Sequence, residues 1–144
     1  MDRISTKRLT LLVFAALVVT AASAGALDWP LRIPIDLSSG FADYRPLHFH
    51  GGIDIRTGGR VGQPVYAPTD GYLWRVKTAY RGAGQAMYLK GDDGFIYVFG
   101  HLSRYAEKIT RPLLARQLAE QKYSQDIFFP ADSIRFKKGE LIAH

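Results

Sequence analysis

The segment His48-Phe49-His50-Gly51-Gly52-Ile53-Asp54 carries two imidazoles and a carboxylate within seven residues. Imidazole nitrogen and carboxylate oxygen are two of the donor types that Zn²⁺ prefers. His50 and Asp54 stand at H-x-x-x-D spacing, which would share one face of a helix. Gly51 and Gly52 are poor helix formers, however, and Ile53-Asp54-Ile55 reads as a strand. On a fully extended strand the two residues would lie about 13 Å apart, too far to share one ion. The chain is therefore expected to bend between them, with the adjacent glycines supplying φ > 0. The bland reading of the same residues is a loop histidine and a turn carboxylate that caps backbone N–H groups. His48 lies two residues from His50, on the same side of extended backbone, and is expected to support the site or face solvent. His101 ends an apolar strand in Phe99-Gly100-His101-Leu102. It reads either as a functional group at a strand end or as a half-buried imidazole hydrogen-bonded there. His144 is assigned no role.

The elements that must position these groups read as mostly β. Leu27 to Leu37 is a proline-punctuated, extended lead-in, and Ser38-Ser39-Gly40 reads as a turn. Thr57 to Gly62 is a polar, glycine-rich loop. Strands are expected at Val65-Tyr66-Ala67 and, after the turn signal Asp70-Gly71, at Tyr72 to Lys77. Gly91-Asp92-Asp93-Gly94 joins Ala86 to Lys90 with Phe95 to Phe99 as a hairpin. Pro112 can open a helix as its first residue, placing Leu113, Leu114, Leu118 and Ala119 on one face and ending near Tyr123. Lys137-Lys138-Gly139-Glu140 turns into a last strand, Leu141-Ile142-Ala143, with no partner evident in sequence. That strand stops at His144 in mid-element, which reads as truncation.

The 144 residues have room for one domain. Arg3, Lys7 and Arg8, the apolar run Leu9 to Ala22, and small residues at Ala22-Ser23-Ala24 form a signal peptide over 1–24, with cleavage after Ala24 or Ala26. The run is short for a membrane span, so export without stable membrane insertion is expected, to the periplasm, cell envelope or exterior. Residues 25–144 then form the domain, with 16 Lys+Arg against 12 Asp+Glu, a formal charge of +4. This excess suits an anionic wall. Nucleic acid is the weaker partner, because no dense basic run is interleaved with aromatics. Without cysteine, a metal site must use His, Asp or Glu.

Four motifs then resemble, in order, those of the lysostaphin-type, LytM-like zinc metallopeptidases. Phe41-Ala42-Asp43-Tyr44-Arg45-Pro46-Leu47-His48-Phe49-His50-Gly51-Gly52-Ile53-Asp54 is similar to the family's first metal motif. Gly62 to Gly71 resembles its G-x-P-V-x-A-x-x-x-G, Phe99-Gly100-His101-Leu102 its Y-G-H-L, and Phe136 to Ala143 its V-K-x-G-x-x-I-A. The resemblance spans Asp28 to the end and implies an all-β antiparallel core with an open groove. A helical insertion around 103–123 is similar to that of one exported branch. It implies hydrolysis of peptide bonds in peptidoglycan stems or cross-links, with Zn²⁺ on His50 and Asp54. His101 would be the catalytic histidine that orients water or stabilises the oxyanion. The family's final H-x-H motif, source of the third zinc ligand, should follow His144, so the chain as written is expected to bind metal weakly and lack activity. The alternative implied by the same resemblance is a non-catalytic module that binds wall or activates another hydrolase. Retention of His50, Asp54 and His101 favours the enzyme.

Overall fold

The computed structural model describes residues 26–144, so the expected signal segment lies outside the described residues. Four short strands come first: β1 (Leu37–Ser39), β2 (Tyr44–Arg45), β3 (His48–Phe49) and β4 (Asp54–Ile55). β2 and β3 form a hairpin about Pro46-Leu47, and Leu47 takes the left-handed φ of 75° that so tight a reversal demands. β1 pairs antiparallel with β4, setting Leu37 opposite Ile55 and Ser39 opposite Asp54. Ser38 and Ser39 therefore belong to a strand and not to the expected turn. The pairing, invisible in a three-residue polar run, comes from backbone bonds to the distant β4.

The remaining elements are β5 (Val65–Tyr66), β6 (Gly71–Thr78), β7 (Gln85–Gly91), β8 (Ile96–Phe99), α1 (Glu107–Glu120), β9 (Gln125–Phe128), β10 (Arg135–Phe136) and β11 (Leu141–Ala143). β6, β7 and β8 form an antiparallel meander, the central part of the five-stranded sheet. Alternating apolar residues on β6 and the Gly-Asp-Asp-Gly turn had marked it. The other edge of β6 is shared: β10 covers Gly71–Tyr72 and β9 covers Arg75–Thr78. Between them the Leu73 N–H donates to Ile134 O (2.8 Å), and the Phe129 N–H donates to Trp74 O (3.0 Å). This edge is thus closed against further strand pairing. The fold is all-β and antiparallel, with one helix among the described residues.

The core lies between the inner face of this sheet, α1 and the β5–β11 pair. Leu73, Val76, Met87 and Leu89 come from the sheet, Ile109 and Leu113 from the helix, and Phe136 and Ile142 from β10 and β11. Each fully buried aliphatic chain of this kind contributes about 1.5–3 kcal/mol. β11 finds the partner its sequence context lacked: Leu141 pairs with Tyr66 and Ala143 with Val65, while Ala143 also bridges to Tyr105.

The helix departs from its expected bounds. It begins at Glu107, so Pro112 lies inside it and not at its first residue. Proline there leaves the Lys108 carbonyl without its i+4 donor, a tolerable loss near a helix start. Moving the start back recruits Ile109, which with Leu113 forms the buried i,i+4 pair. Leu114 and Leu118, expected on the inner face, are exposed. The helix ends at Gln121 in left-handed conformation, φ 50°. No helix among the described residues is long and apolar enough to cross a membrane.

Candidate metal centre

His50 follows β3 directly and is tied to the preceding turn by two backbone bonds. The Ala42 N–H donates to His50 O, and the His50 N–H donates to Asp43 O, both at 2.8 Å. Asp54 opens β4. The bend between them brings His50 Nε2 within 3.3 Å of Asp54 Oδ1, the fold-back expected from the spacing. The cause differs from the expected one. Neither Gly51 nor Gly52 has positive φ. A Cβ at position 52 would stand 3.8 Å from His50 Nε2, an ordinary contact, so the bend demands glycine neither for φ nor for space.

Hydrogen bonding fixes the tautomer of His50. His50 Nδ1 lies 2.9 Å from Gly40 O, and a carbonyl can only accept, so Nδ1 carries the proton. Ser39 Oγ lies 3.1 Å from the same nitrogen and donates its own proton to Asp43 Oδ2 at 2.9 Å. In the neutral ring Nε2 therefore presents a bare lone pair towards Asp54. On the far side, Arg45 Nη2 engages Asp54 Oδ2 and also donates to Ser39 Oγ at 3.2 Å. The Asp43 carboxyl is held below the usual carboxylate range by the Gly40 N–H (2.7 Å), then by the Ser39 hydroxyl. Two acceptor atoms, Nε2 and Oδ1, thus face each other across a gap that a cation or a proton would relieve.

The donor pair fits two corners of a zinc site. Two atoms each about 2.0–2.2 Å from one tetrahedral ion stand about 3.3–3.6 Å apart, and the 3.3 Å found falls at the short end of that range. His50 also shows the usual anchoring of a zinc-bound imidazole, with its second nitrogen on a backbone carbonyl. Among the described residues no group of three or more His, Cys, Asp or Glu is gathered that could complete the coordination.

The other histidines divide cleanly. His48 is exposed on β3, its Nδ1 3.3 Å from Pro46 O, on the surface as one of its two expected placements had it. His101 leaves β8 exposed, with φ 57°, and its N–H donates to Ala83 O at 2.9 Å. A non-glycine residue in this region costs energy and is frequent at functional positions. His144, given no role from sequence, is docked beside the segment that follows His101. Its carbonyl accepts from the Ser103 N–H (2.7 Å) and the Arg104 N–H (3.3 Å), and its own N–H donates to Arg104 O (2.8 Å). Its Nδ1 is buried without a partner, and burial, then Arg104, lowers its pKa. Sequence reasoning also missed Ser39 and the role of Arg45. Arg45 lay within the quoted motif, but only the fold shows which carboxylate it meets.

Residues 48–113 match the family model described as peptidase family M23. The matched stretch contains His50, Asp54 and His101, and runs from β3 into α1. No curated protein and no solved structure matches the chain.

One position in the site's scaffold is strained. Ala42 sits at φ 64° in the turn that bonds to His50. The left-handed region costs an L-residue about 1–2 kcal/mol, and glycine returns part of that gain as lost chain entropy. Ala42→Gly is therefore expected to stabilise by up to about 1 kcal/mol, read as a higher urea midpoint at unchanged slope. A lowered midpoint would show that the turn is not strained by its methyl group.

Proposed function

We propose that this protein is an exported zinc metalloendopeptidase that hydrolyses peptide bonds in the stems or cross-links of peptidoglycan. The observation that carries the reading is the 3.3 Å approach of His50 Nε2 to Asp54 Oδ1, inside the stretch matched to a peptidase family. His50 and Asp54 would hold the zinc, completed by a ligand from outside the described cluster. The ion, when bound, supplies a Lewis acid and lowers the pKa of coordinated water. His50 contributes a neutral imidazole held in one tautomer by Gly40 O. Asp54 contributes a single oxygen, the other being taken by Arg45. His101 is the general acid–base candidate: an exposed imidazole at a strand end can move a proton or donate to the developing oxyanion. The basic charge of residues 25–144 supports an anionic, wall-like substrate.

The test uses the protein as encoded, purified with zinc in the buffer. One zinc per chain by elemental analysis, and new amino termini released from purified peptidoglycan, are expected. Binding to peptidoglycan with neither zinc nor cleavage would replace the enzyme with the non-catalytic wall-binding module.

A further inference from the structure

His50, Ser39, Arg45 and Asp54 close a ring of contacts. His50 Nδ1 lies 3.1 Å from Ser39 Oγ, and Arg45 Nη2 donates to that oxygen at 3.2 Å. The same Nη2 engages Asp54 Oδ2, and Asp54 Oδ1 returns to His50 Nε2 at 3.3 Å. The ring is assembled from four places along the backbone: β1 supplies Ser39, β2 supplies Arg45, the residue after β3 is His50, and β4 supplies Asp54. Two of its members, Ser39 and Asp54, are register partners across the β1–β4 pair.

We propose that Arg45 and Ser39 are positioning residues that present His50 Nε2 and Asp54 Oδ1 to a divalent metal. The proposal rests on the reading of His50 and Asp54 as metal donors. Asp54 is part-exposed, with a side chain 39% accessible, so packing alone does not hold its carboxylate. A free carboxylate can turn either oxygen, or both, towards an ion. With Oδ2 committed to the guanidinium, only Oδ1 is available, and it faces the imidazole lone pair. Ser39 couples the two donors, because its hydroxyl oxygen touches both the imidazole and the guanidinium.

Two effects of Arg45 oppose each other. Its positive charge repels an incoming cation, whereas its hydrogen bonds preorganise the carboxylate. Loss of such an outer-shell partner costs about 10–100-fold in metal affinity. The charge acts through a half-exposed, solvent-screened environment and is weakened there. Preorganisation is therefore the larger effect. Ser39 separates the two, since its removal opens the ring without changing any charge.

The experiment measures zinc affinity by competition with a chromophoric chelator, for the protein as encoded and for Arg45→Ala, Arg45→Lys, Ser39→Ala and Asp54→Ala. The visible absorption of Co²⁺-loaded samples is recorded alongside as a readout of coordination. Arg45→Ala is expected to weaken zinc about 10–100-fold. Arg45→Lys should recover only part of this, since a single ammonium lacks the guanidinium's planar fork. Ser39→Ala should weaken binding several-fold and alter the Co²⁺ band. Circular dichroism without metal checks folding, and if Arg45→Ala fails to fold, Ser39→Ala decides. Wild-type or tighter binding by both Arg45→Ala and Ser39→Ala, with Asp54→Ala losing zinc, overturns the positioning role and leaves the donors standing. A wild-type protein that takes up no zinc overturns both.

Discussion

Asp54→Ala is expected to remove stoichiometric zinc while leaving the fold in place. A structural zinc site contributes about 10–16 kcal/mol of apparent binding free energy through all its ligands. Loss of one ligand then costs roughly 3 kcal/mol, more than a hundredfold in affinity. The fold has little at stake. Asp54 lies on a two-stranded pair outside the core, and its ion pair with Arg45 is part-exposed. Such pairs are worth about 0–1 kcal/mol. Elemental analysis and metal-free thermal unfolding, run on the same preparation, read the two effects apart. Zinc content unchanged by the substitution would remove Asp54 from the site. A collapsed melting temperature would instead assign it to the scaffold.

Gly71→Ala is expected to have the largest effect on stability. Gly71 pairs with Gly91 across β6–β7 and with Phe136 across β6–β10, so backbone hems it in on both sides. A Cβ placed there would stand 2.3 Å from Lys90 O and 3.0 Å from Gly91 Cα. These are main-chain atoms of the central hairpin and cannot swing aside as a side chain would. Relief requires the strands to part where Leu73 and Leu89 bury fully. Overpacking commonly costs 1–3 kcal/mol, and against main chain we expect about 3 kcal/mol or more, a large share of a typical domain's stability. Urea unfolding measures it, with Gly51→Ala as the control. Gly51 has ordinary φ and nothing within 4 Å of its added methyl, so its midpoint should stay near wild type. Matching curves for the two variants would show that β6 and β7 do not approach so closely.

The sequence was most readable where a pattern runs long enough to repeat. β6 to β8 span several alternations each, and a glycine-flanked turn punctuates them, so period and turn chemistry agree. Strands of two or three residues, such as β2, β3 and β10, carry too few positions for any period to show. Gly71 illustrates a subtler failure. Its Asp-Gly context signalled a turn, yet it is chosen for the closeness of two neighbouring backbones. Gly52, read as a hinge, has ordinary φ and would meet His50 Nε2 only at contact distance, so the bend beside it does not depend on glycine. The helix start was misplaced because Pro112 suits a first residue well, while Ile109 gave no local sign of being buried. At the site, the fold-back of His50 onto Asp54 followed from reach alone. The Ser39 and Arg45 contacts did not, because they depend on how β1, β2 and β4 meet.

The pairing of β11 with β5 also bears on how the molecule comes to be folded. These strands are separated by about 75 residues of chain, and the long central hairpin lies between them. Ile142 and Ala143, both fully buried, complete the core from the later side. The meander can form early from local contacts, but its inner face stays uncovered until this late segment arrives. A ribosome releasing the chain from its amino end would therefore present the His50–Asp54 bend well before the core that supports it can close. Under the proposed export, a polypeptide kept open until translocation ends would meet no penalty from that order of assembly.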